Sequence, residues 1–150
     1  MYDLVAFEGF GAEAGNAFAA SHANTEYSLQ DYDNADYPNA ADAAYLINGY
    51  HDLPERGNDP MGVNNALFAA LRSGGKYIVI DHKSVDGAGW SVADTAHRID
   101  ANTIIEEVTA AGFELISDSS LLAHPEDPRD AAPFAMRGLT DRAVLIFQKP

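Results

Sequence analysis

Four short apolar runs in this 150-residue sequence each lead into a carboxylate, and two of them also lead into a histidine. Glu8 follows the run at 2–7, and Asp31 closes the run at 26–31. His51 and Asp52 come just after 43–48, and Asp81-His82 directly after 76–80. Imidazole titrates near neutral pH, so His51 and His82 are candidate general bases. A carboxylate at a strand's end can accept hydrogen bonds from ribose hydroxyls, which makes Glu8 a candidate for holding a nucleotide. Imidazole and carboxylate are also adequate ligands for several divalent ions, and His97 lies within the same stretch of loops. Neither H-x-x-x-H nor H-E-x-x-H spacing occurs, however, so no metal site is assigned from sequence. Three uses of these imidazoles stay open: base, ion ligand, or structural group bonded to loop backbone.

Gly9, Gly11 and Gly15 follow the first run. They read either as a loop that lets backbone approach a ligand or as a plain glycine-rich turn, since the spacing fits neither G-x-G-x-x-G nor a phosphate-binding loop. Trp90, in Gly87-Ala88-Gly89-Trp90, reads as a lid or as rim packing.

The elements that must carry these groups alternate. Residues 2–7, 26–31, 43–48, 76–80, 113–116 and 143–147 are rich in strand formers, about six strands in all. Helices are expected at 12–23, at 60–72 with Ser73-Gly74-Gly75 as its stop, and from the Asp100 cap to about 111 with Gly112 after it. Strands that alternate with helices imply a mainly parallel sheet covered on both faces, a three-layer α/β architecture. Residues 117–140 are mostly loop, so the last two strands are expected to pair antiparallel at one edge. In such sheets ligands bind outside the carboxyl ends of the strands, where the acids and histidines above lie.

Length and composition fit one domain spanning 1–150, with 47% apolar and 21% charged residues. Nine Lys and Arg against 23 Asp and Glu leave a net charge of −14, which repels phosphate backbones and anionic lipid. Nucleic acid and membrane surfaces are therefore not expected as partners. The absence of Cys excludes disulfides, thiolate zinc sites and cysteine nucleophiles. No run reaches the roughly 18 apolar residues of a spanning helix, and Met1-Tyr2-Asp3 does not start a signal peptide, so a cytoplasmic location is expected.

Asn48-Gly49-Tyr50-His51-Asp52-Leu53, Asn65-Ala66-Leu67-Phe68-Ala69-Ala70-Leu71-Arg72-Ser73-Gly74-Gly75, Val79-Ile80-Asp81-His82 and His97-Arg98-Ile99-Asp100 occur in this order. With Ala110-Ala111-Gly112-Phe113, Asp127-Pro128-Arg129-Asp130, Thr140-Asp141-Arg142 and the Lys149-Pro150 ending, the chain resembles a family of class I S-adenosylmethionine-dependent methyltransferases. The resemblance is specific over 43–150 and loose over 1–42. It implies a Rossmann-like sheet in the order 3-2-1-4-5-7-6 with strand 7 antiparallel, and a small-molecule acceptor. Residues 43–48 stand as strand 4, 76–80 as strand 5, and 2–7 and 26–31 as strands 2 and 3. By the same resemblance S-adenosylmethionine is the cofactor. Glu8 would hold its ribose and Asp31 would lie near its adenine. Asn48, Tyr50, Asp52 and Asp81 would line its methionine end or the acceptor pocket, beside His51 and His82 as the catalytic pair.

The first βα unit of that plan, with its glycine-rich turn, has no counterpart before Tyr2. An open central position would expose unpaired backbone groups, so either the 2–7 strand moves beside 43–48 or a second copy of the chain supplies the neighbour, as a homodimer. The resemblance leaves an alternative, a non-catalytic relative that keeps the scaffold without binding cofactor. A metal-dependent hydrolase built on the His and Asp strand ends is a weaker one.

Overall fold

The computed structural model describes the backbone of residues 2–6 and residues 11–136 and 138–150. Glu8 and Gly9 lie outside the described residues. Among the described residues there are six strands: β1 Tyr2–Ala6, β2 Thr25–Leu29, β3 Ala41–Ile47, β4 Leu71–His82, β5 Glu114–Asp118 and β6 Arg142–Gln148. The helices are α1 Ala12–Ser21, α2 Pro60–Ala70, α3 Ala93–Ala96 and α4 Ala101–Ala110, with two short 3₁₀ turns at Ser120–Leu122 and Pro133–Met136.

β1 and β2 form a parallel pair, and β3-β4-β6-β5 form a second sheet in that spatial order. β3 runs parallel to β4, while β6 is antiparallel to both β4 and β5. Only β6 is reversed, and the β6–β5 pair forms the antiparallel edge predicted from the loop-rich 117–140 segment. The β3-β4-β6-β5 order matches the 4-5-7-6 part of the expected sheet, and β1 and β2 pair in parallel as expected of its strands 2 and 3; among the described residues no strand joins the two sheets. Among the described residues β3 therefore has a hydrogen-bonded neighbour on one side only.

Local chemistry explains where the elements begin and end. Asp59 caps α2 by accepting from the Gly62 N–H at 3.0 Å, with Pro60 in the first turn. Asp100 caps α4 through the Asn102 N–H at 2.9 Å. Gly112 follows α4 at φ 107°, and a Cβ there would lie 3.0 Å from the Phe68 ring, so both conformation and space call for glycine.

Ser73-Gly74-Gly75 does not end the α2 helix as expected. The helix stops at Ala70, and these residues form an irregularity at the start of β4, where the register with β3 jumps from Ala41↔Leu71 to Ala43↔Lys76. Gly74 takes a positive φ and its N–H bonds the Lys149 carbonyl, so pairing with the C-terminal residues claims the glycines before a helix cap can. Gly11, at φ 72°, is the N-cap of α1, and Gly15 lies inside that helix, within the 12–23 segment expected to be helical. A Cβ at Gly15 would sit 2.1 Å from the Tyr27 ring, so this glycine serves close packing of α1 on β2.

The core lies on the face of the large sheet covered by α2 and α4. Tyr77 and Val79 of β4 and Leu145 and Phe147 of β6 meet Val63, Leu67, Ile104 and Val108 of those helices. Each such side chain contributes roughly 1.5–3 kcal/mol on burial. The opposite face is less covered at β3, where Tyr45 is 66% and Ile47 54% exposed.

Candidate functional site

The carboxyl ends of β3 and β4 open into a cavity of about 580 Å³. Asn48 and Gly49 enter it from the end of β3, His51 and Asp52 from the following turn, and His82 from the last position of β4. Tyr32, Arg56, His97, Phe134 and Arg142 complete most of the wall. Asn48 and His97 are two of the four described non-glycine residues with positive φ. Asn48 accepts that conformation because its N–H then reaches the Ile80 carbonyl at 2.7 Å, and His97 because it terminates α3.

Asp81, at the penultimate position of β4, is fully buried beneath the cavity. Its Oδ2 accepts from the His51 backbone N–H at 2.9 Å, and its Oδ1 lies 2.6 Å from His51 Nδ1 and accepts from the His82 N–H at 2.7 Å. A carboxylate can only accept, so His51 carries a proton on Nδ1 and turns Nε2 the other way. There Nε2 meets Asp52 Oδ1 at 3.0 Å. Arg56 occupies the other oxygen of Asp52 through Nε at 3.2 Å and Nη2 at 2.7 Å, and His97 Nδ1 lies 3.4 Å from Oδ1.

Burial disfavours charge on His51, but the Asp81 hydrogen bond and the two neighbouring carboxylates outweigh it and hold the imidazole above its ordinary pKa. Burial likewise opposes charge on Asp52, yet Arg56 and His51 keep that carboxyl below its usual range. His82 is pulled below its ordinary value mainly by burial, and its Nδ1 faces the Thr140 hydroxyl at 3.0 Å. The pocket thus holds one imidazole clamped between two acids beside another that favours the neutral form.

The candidates divide three ways. Asn48, Asp52, His51 and His82 share the cavity wall. Tyr50 and Asp81 are fully buried and lie outside that wall. Tyr50 donates to Glu107 Oε2 at 2.8 Å and accepts from Asn64 Nδ2 at 2.8 Å, and burial pushes its hydroxyl pKa far up. Asp31 is exposed next to Tyr32, which does line the cavity. Trp90 packs at the rim of the core: its ring stacks on Tyr50 at 5.8 Å and its Nε1 donates to Glu107 Oε1 at 2.8 Å.

Arg56, Phe134, Thr140 and Arg142 were not named as site residues from sequence, although Thr140 and Arg142 belong to one of the blocks that carry the resemblance. Arg56 had a signal, a cation four residues after Asp52. The others reach the site from loop or strand positions that are far away along the chain. The loop behind them is pinned by Arg98, which is fully buried and donates to Asp127 at 2.9 and 3.2 Å and to the carbonyls of Lys83 and Ala131.

No protein-family profile matches the chain, and no curated protein matches it in sequence. Solved structures do match in fold. A TehB-like SAM-dependent methyltransferase from Corynebacterium glutamicum aligns with a TM-score of 0.66 at 13% identity, covering 99% of this chain and 67% of that one. A SAM-dependent methyltransferase from Methanosarcina mazei aligns at 0.68 and 11% identity, covering 98% of this chain and 81% of that one. The cyclase SpnF aligns at 0.71 and 16% identity, covering 99% of this chain; the chain spans only 65% of the cyclase's length. The chain has the Rossmann-like fold of class I methyltransferases, and a protein named for a different reaction shares it. Among the described residues no helix is long and apolar enough to cross a membrane.

Proposed function

We propose that residues 1–150 form a single S-adenosylmethionine-binding methyltransferase-like domain acting on a small-molecule acceptor, with its site in the cavity at the ends of β3 and β4. The observation that carries this reading is the convergence of Asn48, His51, Asp52 and His82 on one concave surface at the carboxyl edge of a sheet with the methyltransferase strand order. The cavity volume falls in the range of small-ligand sites, and Tyr32 and Phe134 supply aromatic walls against which a flat group can lie. Asn48 and Asp52 are the cavity-wall groups assigned to the cofactor, and the resemblance alone assigns Asp31 and Glu8 to its adenosine. Tyr50 and Asp81 act from beneath, as supports for the turn that carries His51. When bound, the cofactor supplies an electrophilic methyl group. The chain's part is to position the acceptor and take up its proton, and of the two imidazoles His82 is the better placed, because both nitrogens of His51 already face carboxylates.

Calorimetric titration with S-adenosylmethionine and its demethylated product tests the reading. Binding in the micromolar range supports it. His82→Ala should then leave melting unchanged and abolish any turnover found with a candidate acceptor.

A second reading, a scaffold that no longer binds cofactor, draws on a specific observation. The Asp52 and Asp81 carboxylates are already engaged by Arg56, His51 and His82, which leaves fewer acceptor sites for a ligand. Absence of heat and of thermal shift with either compound selects it.

The half-paired β3, with Tyr45 and Ile47 exposed, supports association of two copies along that strand. Sedimentation velocity on the protein and on Tyr45→Lys checks this: a dimer that dissociates in the variant supports it, and a monomer in both rejects it.

A further inference from the structure

We infer that His51, Asp52 and His97 form a binding site for one divalent first-row transition-metal ion. His51 Nε2 and His97 Nδ1 both face Asp52 Oδ1, and one ligand atom from each of the three residues lies within 4.8 Å of the others. Two metal–ligand bonds of about 2.1 Å at 90–110° place their donor atoms roughly 3.0–3.5 Å apart. The His51–Asp52 separation of 3.0 Å and the His97–Asp52 separation of 3.4 Å fall in that interval. The His97 side chain is 27% exposed, and the third pair of ligand atoms lies within the 4.8 Å that bounds the group.

The surroundings are arranged as a metal site requires. Asp81 fixes the tautomer of His51 by accepting a hydrogen bond from Nδ1–H at 2.6 Å, so Nε2 offers a lone pair. That lone pair points at a carboxylate oxygen 3.0 Å away, an acceptor facing an acceptor unless a proton or a cation lies between them. Arg56 holds the second oxygen of Asp52 and leaves Oδ1 directed at the imidazoles. Asp52 and Asp81 bond the His51 imidazole directly, whereas Arg56 engages the far oxygen of Asp52, and the chain carries a net charge of −14.

Two nitrogens and one oxygen suit zinc, cobalt, nickel or manganese. The set is too nitrogen-rich for calcium or magnesium and lacks the sulfur that favours copper(I). Its remaining coordination positions open into the cavity, where water or an oxygen of an acceptor can occupy them. Short sequence motifs give no hint of this site, because His97 lies 45 residues from Asp52 and reaches it only through the left-handed turn after α3.

The test uses tag-free protein stripped with chelator and then titrated with cobalt(II), followed by visible absorption, and with zinc(II) by calorimetry. The expected result is one equivalent bound, with a ligand-field band in the visible. Affinity should fall at least tenfold in His97→Ala and in Asp52→Asn, while circular dichroism confirms that His97→Ala keeps its fold. No saturable binding, or binding unchanged in His97→Ala, overturns the site. If His97→Ala fails to fold, His97→Gln takes its place and is read the same way. The titration contains no S-adenosylmethionine, so its failure leaves methyl transfer standing, and failure of cofactor binding leaves the ion site standing.

Discussion

Asp81 grips His51 twice, at the backbone N–H with Oδ2 and at ring Nδ1 with Oδ1, from a position with no exposure to solvent. A third bond, from the His82 N–H, ties the same carboxylate to the end of β4. One side chain therefore sets the geometry of both site histidines.

Asp81→Asn removes one acceptor and places an NH₂ group where an N–H must be accepted. The expected loss of stability is about 1–3 kcal/mol, the cost of a buried unsatisfied group, read as a lower denaturation midpoint at unchanged slope. If the ion site is correct, cobalt(II) affinity falls by about 10–100-fold in the same variant. An unchanged midpoint would remove Asp81 from this role.

Acid should loosen the segment behind the pocket through Asp127. Burial alone would raise this carboxyl, but hydrogen bonds from the Asp141 and Arg129 N–H groups and from the Arg98 guanidinium more than offset it and hold it below the carboxylate range. A folded value below the unfolded one of about 4 means the stabilisation is complete above that pH and is lost as pH falls through the folded value. Melting temperature should therefore drop on acidification below about pH 4, with a shallower drop in Asp127→Asn. At neutral pH, Asp127→Ala should cost roughly 3–5 kcal/mol, because Arg98 would be left charged and buried.

Asp100 does two jobs: Oδ1 caps α4, and Oδ2 accepts from the Gly87 N–H at 2.6 Å. Asp100→Ala should lose about 1–2 kcal/mol through the cap. It should also speed amide exchange at Gly87 and its neighbours. Equal exchange in both proteins would show that the loop is held by other contacts.

Gly112→Ala combines φ 107° with a methyl 3.0 Å from the Phe68 ring. The expected destabilisation is about 1–3 kcal/mol, measured by urea unfolding, and Phe68→Leu in the same chain should recover only the steric part.

The alternation of strand and helix, the cap at Asp100 and the antiparallel terminal pair were legible along the chain, because they depend on local propensity and spacing. So was the placement of acids and histidines at strand ends, since a parallel sheet puts those ends on one edge. Separation of Tyr50 and Asp81 from the cavity wall was not legible. Whether a residue faces a pocket or the core depends on what packs above it, and Glu107 and Asn64 claim Tyr50 from distant helices. The same holds for His97 and Arg98, neighbours in sequence that end at the ion site and in a buried ion pair. Sequence by itself determined that His51, Asp52, Asp81 and His82 lie at or just past the ends of two strands. Tertiary structure decided which atom of each faces which partner, because hydrogen-bond direction and burial are settled only when all the elements have closed around them.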